Sequence, residues 1–398
     1  MTAYHLEGRG YLHITFYYEK AYMKISRIIL KNWRNFQLVD VPLEERIFLI
    51  GANASGKSNF LDAFRFLHDI AKTGGGLQRS VTERGGLSSI RCFTAPKSSI
   101  VELEVHLTDS SDNTPRFKYA IGIKPGHPVT LAYERVFQSN QQLINRPDKE
   151  DKQDVLRLTQ TYLEQISTNA HFREIAHFFG SVFYLHLVPQ LLRFPENVLN
   201  QGLSENPFGR TFLKQLSNTP EKIRQFRLKQ IEQGLRITIP QFKRLIYSED
   251  EKDMPHLEAV YEPWEQVSLR ENQFSDGTLR LIGLFWALLE SDTLLLLEEP
   301  ELSLNGRIVN ELAPLIYRLQ HPKQGQVILS TQSGALLSDK GIAGEEVLLL
   351  TPSEKGTQVE LASSIEPVRH LLEAGLSIAD AALSRTNPPA LHEQSLFQ

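Results

Sequence analysis

The stretch Ile47-Phe-Leu-Ile-Gly51-Ala-Asn-Ala-Ser-Gly56-Lys57-Ser58-Asn59-Phe60 decides the fold: an apolar run, a loop bounded by glycines and a lysine–serine pair opening a helical pattern through Lys72. The loop satisfies Gly-x-x-x-x-Gly-Lys-Ser/Thr in the context that gives this pattern meaning, after a strand and before a helix. Glycines let backbone N–H groups curl around phosphates, and the following helix N-terminus favours negative charge. Gly51, Asn53, Ser55, Gly56, Lys57, Ser58 and Asn59 are therefore assigned to a bound nucleotide. Lys57 is expected to reach the β- and γ-phosphates and Ser58 to bind Mg2+.

A second piece, Leu294-Leu-Leu-Leu-Glu298-Glu299-Pro300-Glu301, reads as a buried strand with adjacent carboxylates at its C-terminal end, where ligands bind in α/β sheets. In this pairing Glu298 would share the Mg2+ shell with Ser58, and Glu299 would polarise a water. Alone, the acids would be an ordinary charged strand terminus; beside a phosphate loop they have a shared purpose.

Composition narrows the partners. The chain has 398 residues, 41% of them hydrophobic and 23% charged, ordinary values for a globular protein. Forty-three Lys and Arg against 47 Asp and Glu leave a formal charge of −4, so nucleic acid would have to be met by a local patch. Cys92 is the single cysteine, which excludes an intramolecular disulfide and any cysteine-cluster metal site and suits a cytoplasmic location. The apolar run 281–289 ends at Glu290, far short of the roughly 20 residues of a membrane span. The opening residues have no signal-peptide pattern, and 1–22 reads as an extension ahead of a possible start at Met23, or as an edge strand.

Along the chain, strands are expected at 24–30 and at 47–50, the latter leading into the glycine loop, and at 100–107, 117–123 and 130–137, these last three making an antiparallel sheet beside the core. One lobe is thus drawn at 23–137, a mainly helical insertion at 138–267, a second lobe at 268–362, and a C-terminal helix and tail at 363–398. Helical periodicity fills 155–179. Residues 207–247 carry nine Lys or Arg (Arg210, Lys214, Lys222, Arg224, Arg227, Lys229, Arg236, Lys243, Arg244) against two acids, and 248–266 carries seven acids. Such blocks read either as solvated faces that pair with each other or as an arm for double-stranded DNA. From Phe274 helices and strands alternate, as in a parallel sheet covered on both faces.

Taken in order, GANASGKSN (51–59), FSDGTLR (274–280), LLLLEEPELSLN (294–305) and VILSTQS (327–333) resemble the ABC-type ATPase heads of the structural-maintenance-of-chromosomes (SMC) and RecF proteins. Among these they are most similar to the stand-alone and OLD-like ATPases of bacterial defence systems. The resemblance covers about half the chain and implies an α/β P-loop NTPase of the ABC type, with an antiparallel β subdomain and a helical insertion, that binds and hydrolyses ATP with Mg2+. It implies that Ser275 and Gly277 complete the site of a second subunit, hence a homodimer with ATP sandwiched between the copies. A hydroxyl and a bare glycine at a helix N-terminus do form an anion site, although Ser-Asp-Gly is also a common helix cap. Arg34 and Asn35 resemble the segment bordering adenine and phosphates.

The chain departs from the family in several places. Glu298 stands where Asp is usual, and Asn305 where a histidine is frequent. Gln332 replaces the switch histidine; it can still orient water but carries no proton, so slow hydrolysis is expected. The glutamine that usually links magnesium to the sheet is placed only loosely, at Gln78. No Asp-x-Asp pair of an OLD-type nuclease occurs, too few residues follow Leu350 for such a domain, and His171, His177 and His186 read as ordinary histidines. Three functions are compatible with these features: a defence ATPase controlling a separately encoded effector nuclease, a RecF-like repair clamp, or a non-hydrolysing nucleotide-dependent scaffold.

Overall fold

The computed structural model describes residues 23–109, 114–186, 188–189, 212–264, 266–291 and 293–386. The extension at 1–22, Arg210 and the tail from 387 lie outside them. Its strands are β1 (Met23–Trp33), β2 (Phe36–Pro42), β3 (Arg46–Ile50), β4 (Val101–Asp109), β5 (Phe117–Lys124), β6 (Thr130–Gln138), β7 (Gln141–Arg146), β8 (Phe183–Leu185), β9 (Phe242–Glu249), β10 (Pro255–Tyr261), β11 (Ser268–Arg270), β12 (Leu294–Glu298), β13 (Gln326–Thr331), β14 (Val347–Ser353) and β15 (Gly356–Leu361).

Continuous apolar runs build the central sheet. Every residue of β3 and β13 is buried, as are the four leucines of β12, which is what a strand covered on both faces requires. The sheet runs β15-β14-β3-β13-β12-β8, with β14, β3, β13, β12 and β8 parallel and β15 antiparallel at the edge. This register carries the ends of β3, β12 and β13 to the same edge of the sheet. The helix Lys57–Ala71 covers one face with Phe60, Phe64 and Leu67, while the helices Asp276–Glu290 and Leu312–Gln320 supply Leu284, Leu288 and Ile316 to the other.

The expected antiparallel sheet is present in the order β2-β1-β4-β5-β6-β7. Gln326 pins it to the central sheet: its amide accepts from Ile25 N at 2.9 Å and donates to Ile25 O at 2.7 Å and Glu44 O at 2.9 Å.

Residues 138–267 are less helical than their periodicity suggests. Within 155–179 the α-helix is confined to Arg173–Gly180. The cause is a buried charge cluster. Arg146 pairs with Glu134 at 3.0 Å and Asp151 at 2.8 Å, and it takes the carbonyls of Arg157 and Gln160 at 2.8 Å each, while Glu134 accepts from Tyr162 N and Leu163 N. Backbone groups committed to these side chains are not available for helical hydrogen bonds. Farther on, the segment returns β8 to the central sheet, then forms the helix Glu221–Thr238 and a three-stranded sheet, β11-β10-β9. Leu228, Ile231, Leu235, Leu245 and Leu257 pack this unit on Phe285 and Trp286 of the helix Asp276–Glu290.

Candidate functional site

Loop 51–56 turns sharply enough that its glycines are required. Gly56 has φ of +102°, and a Cβ there would collide with the Asn35 side chain; a Cβ on Gly51 would lie 2.7 Å from Leu350 O. The helix Lys57–Ala71 starts with no side-chain cap and no acid in its first turn, so its first N–H groups and its dipole are left to an anion. Lys57 folds back over the loop, donating to Gly51 O at 2.8 Å and Ala52 O at 3.1 Å. Burial lowers its pKa against the opposing pull of Glu299, Glu298 and Glu301, so the amine rests in a pocket already lined with negative charge.

Facing it, the Ser58 hydroxyl donates to Glu298 Oε1, joining the two residues assigned to Mg2+. Two hard oxygen donors at the end of a helix and a strand suit a magnesium ion that takes its remaining ligands from phosphates and water. Among the described residues no group of three or more His, Cys, Asp or Glu that could hold a metal ion occurs.

Glu299 leaves the strand with φ of +44°, its N–H bonded to Ser330 O at 3.0 Å. Gln332 then spans the site: its amide, in the orientation assigned, donates to Asn53 Oδ1 at 2.6 Å and Glu299 Oε1 at 3.2 Å. Carboxylate, switch amide and phosphate loop thus form one cluster. Asn305 caps the helix Gly306–Asn310 by accepting from Arg307 N.

Several of the assigned residues also brace the loop and its surroundings. Asn35 supports the loop from its backbone side, donating to Ser55 O at 3.0 Å and to Thr357 Oγ1 at 2.7 Å and accepting from Asn59 at 2.8 Å. Asn59 and Ser55 are thereby tied into the same brace. Arg34 gives its guanidinium to Asp62 at 2.7 Å and Ser89 O at 3.0 Å. Burial would raise the pKa of Asp62, but Arg84 and Arg34 hold it below the usual carboxylate value, so the brace is ionised at neutral pH. The amide of Gln78 donates to Val129 O at 2.9 Å and Thr159 O at 2.7 Å.

Other participants have no motif. Tyr184 on β8 donates to Glu298 Oε2, and His186 lies 3.8 Å from the same oxygen, although its sequence surroundings give no sign of a site. Burial first, then the Glu298 charge, raises the Tyr184 pKa and keeps the phenol a donor. Glu301 accepts from Thr331 Oγ1 at 2.5 Å, and burial raises its pKa. Arg280 lines a small cavity with Glu298, its buried Nε without a hydrogen-bond partner among the described residues.

Ser275 caps the helix Asp276–Glu290, accepting from Thr278 N at 3.1 Å, and remains exposed. Gly277 packs under Ser303, where a Cβ would come within 2.9 Å of its carbonyl. Among the described residues no hydrogen bond joins Ser275 or Gly277 to loop 51–59 of the same chain.

The fold is that of the P-loop ATPases of the ABC type. The family profile described as "AAA domain, putative AbiEii toxin, Type IV TA system" matches residues 46–339, and the chain belongs to this family. The fold is similar to an Smc head bound to the C-terminal winged-helix domain of ScpA, with TM-score 0.53 and 14% identity over 85% of this chain and 97% of that one. It is equally similar to the Smc head with an extended coiled coil from Pyrococcus furiosus, at TM-score 0.53 and 14% identity over 88% and 99%. Endonuclease GajA of Bacillus cereus (strain VD045) is 49% identical over 47 residues, which span 12% of this chain and 8% of GajA.

Proposed function

We propose that this chain is an ATP-hydrolysing switch that dimerises around Mg-ATP and regulates a separately encoded effector nuclease in bacterial antiphage defence. The observation that carries this reading is the split of the site. Hydrogen bonds join Lys57 to the phosphate loop, Ser58 to Glu298, and Gln332 to both Asn53 and Glu299, while among the described residues none joins Ser275 or Gly277, the proposed anion-binding pair, to loop 51–59.

Within one half-site, the loop N–H groups and Lys57 would bind the β- and γ-phosphates, and Ser58 and Glu298 would hold the metal. Bound Mg2+ would supply a Lewis acid between the phosphates. Glu299 would accept a proton from the attacking water, with Gln332 fixing the orientation of Glu299 and of that water. The Gln332 contact to Glu299 favours turnover over a purely structural use of ATP. Ser275→Arg should remove at least about tenfold of the ATPase rate while leaving nucleotide binding intact. An unchanged rate would contradict the shared site.

Defence enters through the resemblance to defence ATPases and the short GajA match. That the nuclease is carried by another polypeptide is part of the proposal. Phage resistance that needs neither an adjacent gene nor Lys57 would contradict that assignment. No helix among the described residues is long and apolar enough to cross a membrane, and a cytoplasmic setting is part of the proposal.

For DNA, the basic segment must be narrowed. Arg224 donates to Leu216 O and Ser217 O and lies 3.9 Å over Tyr247, and Arg227 pairs with Glu290 at 3.3 Å, so both are engaged within the fold. Lys243 also faces Glu262 at 3.7 Å, part of the mutual pairing that the charge blocks suggest. Lys214, Lys222, Lys229 and Arg244 are exposed and are the proposed contacts to double-stranded DNA. Reversing Lys222, Lys229 and Arg244 to Glu should weaken DNA binding and flatten its salt dependence by up to about 0.9 log units for each phosphate no longer neutralised. An unaltered salt slope would remove this surface from consideration.

A further inference from the structure

We propose that Tyr184 is a positioning residue for the metal-side carboxylate, holding Glu298 so that its Oε1 faces Ser58 and a divalent cation; this rests on the ATPase reading above. Both oxygens of Glu298 are accounted for by donors from different parts of the chain: Ser58 at the start of the Lys57–Ala71 helix on Oε1, and Tyr184 on Oε2. A glutamate has one more rotatable bond than an aspartate, so at this position the carboxylate gains most from being held by a fixed donor.

The phenol is itself fixed in three ways. β8 runs parallel to β12 with Tyr184 beside Leu296, and side chains two residues apart share a face, so the ring is directed along the sheet toward Glu298. The ring also lies 4.1 Å under the guanidinium of Arg65, which stands on the same helix as Ser58. Its hydroxyl reaches an oxygen beside which the next side chain on that face, His186, also stands at 3.8 Å. Packing alone needs no hydroxyl at this place, since a phenylalanine would preserve the ring, its place in β8 and the Arg65 contact. The hydroxyl therefore has the carboxylate as its specific use.

The test is the Tyr184→Phe full-length chain, titrated with a fluorescent N-methylanthraniloyl ATP in EDTA and again across Mg2+ concentrations, beside wild type and Glu298→Gln. Loss of an outer partner of a metal ligand typically lowers metal affinity ten- to a hundredfold. The expected result is unchanged binding in EDTA, a rise of about tenfold or more in the Mg2+ needed for half-maximal enhancement, and no enhancement in Glu298→Gln. A Tyr184→Phe Mg2+ curve that superimposes on wild type would overturn the assignment. So would a matching loss of binding in EDTA, because the hydroxyl would then serve the fold rather than the carboxylate. A wild-type chain that binds no nucleotide under either condition would overturn the proposed function, and this assignment with it.

Discussion

Glu299→Gln is expected to lose ATP turnover by about a hundredfold or more while binding Mg-ATP as tightly as wild type. Its carboxylate is the acid at the C-terminal end of β12 that is not held by Ser58 and Tyr184, and it faces the phosphate loop through the Gln332 amide. Removing its basicity while keeping its shape removes proton acceptance from water, an effect worth roughly 10² to 10⁴ in rate. Gln332 can still bond the new amide if one of the two groups turns over, so the local geometry should survive. Single-turnover hydrolysis and equilibrium nucleotide binding, measured on the same preparation, check both halves. Parallel losses in rate and affinity would mean that Glu299 builds the site instead of acting on water.

Lys57→Ala is expected to weaken nucleotide binding by about ten- to a hundredfold, the range for losing a charged hydrogen bond to phosphate. Among the described residues the ammonium donates to the carbonyls of Gly51 and Ala52, and burial lowers its pKa. Its removal should therefore leave the fold intact, which a thermal melt without nucleotide can verify. The loop itself is braced independently by Asn35 and Thr357 on Ser55 O. Calorimetry showing wild-type affinity in the alanine variant would place the phosphates elsewhere.

The elements that can be read from the sequence are those whose chemistry is local. Gly51 to Ser58 and Leu294 to Glu299 announce themselves because strand, turn and charge follow one another within a few residues, and the structure places both at one edge of the central sheet. The resemblance places Arg34 and Asn35 beside the nucleotide, but that their side chains brace Asp62 and Ser55 O could not be read from the sequence. Tyr184 cannot be found this way: it meets Glu298 across 114 residues, from a three-residue strand with no alternation to read. Likewise the apolar spacing in 155–179 suggests a long helix because the demand of Arg146 and Glu134 for backbone partners is invisible to periodicity.

The unit packed on the helix Asp276–Glu290 links the site to the proposed DNA surface. The helix Glu221–Thr238, which carries Lys222 and Lys229, packs with β9 and β10 against Phe285 and Trp286, on the helix that Ser275 caps. A contact at the exposed face of this unit and an anion at Ser275 would therefore bear on the same helix. Such an arrangement suits a switch in which DNA and a second subunit's nucleotide influence each other.

The most direct test is the solution mass of the Glu299→Gln chain by light scattering, with and without Mg-ATP. The expected result is a monomer that doubles in mass only when Mg-ATP is present, and that returns to monomer when Ser275→Arg is added. A monomeric mass that stays unchanged at saturating Mg-ATP would contradict the ATP-sandwiched dimer, as would a dimer that forms equally without nucleotide.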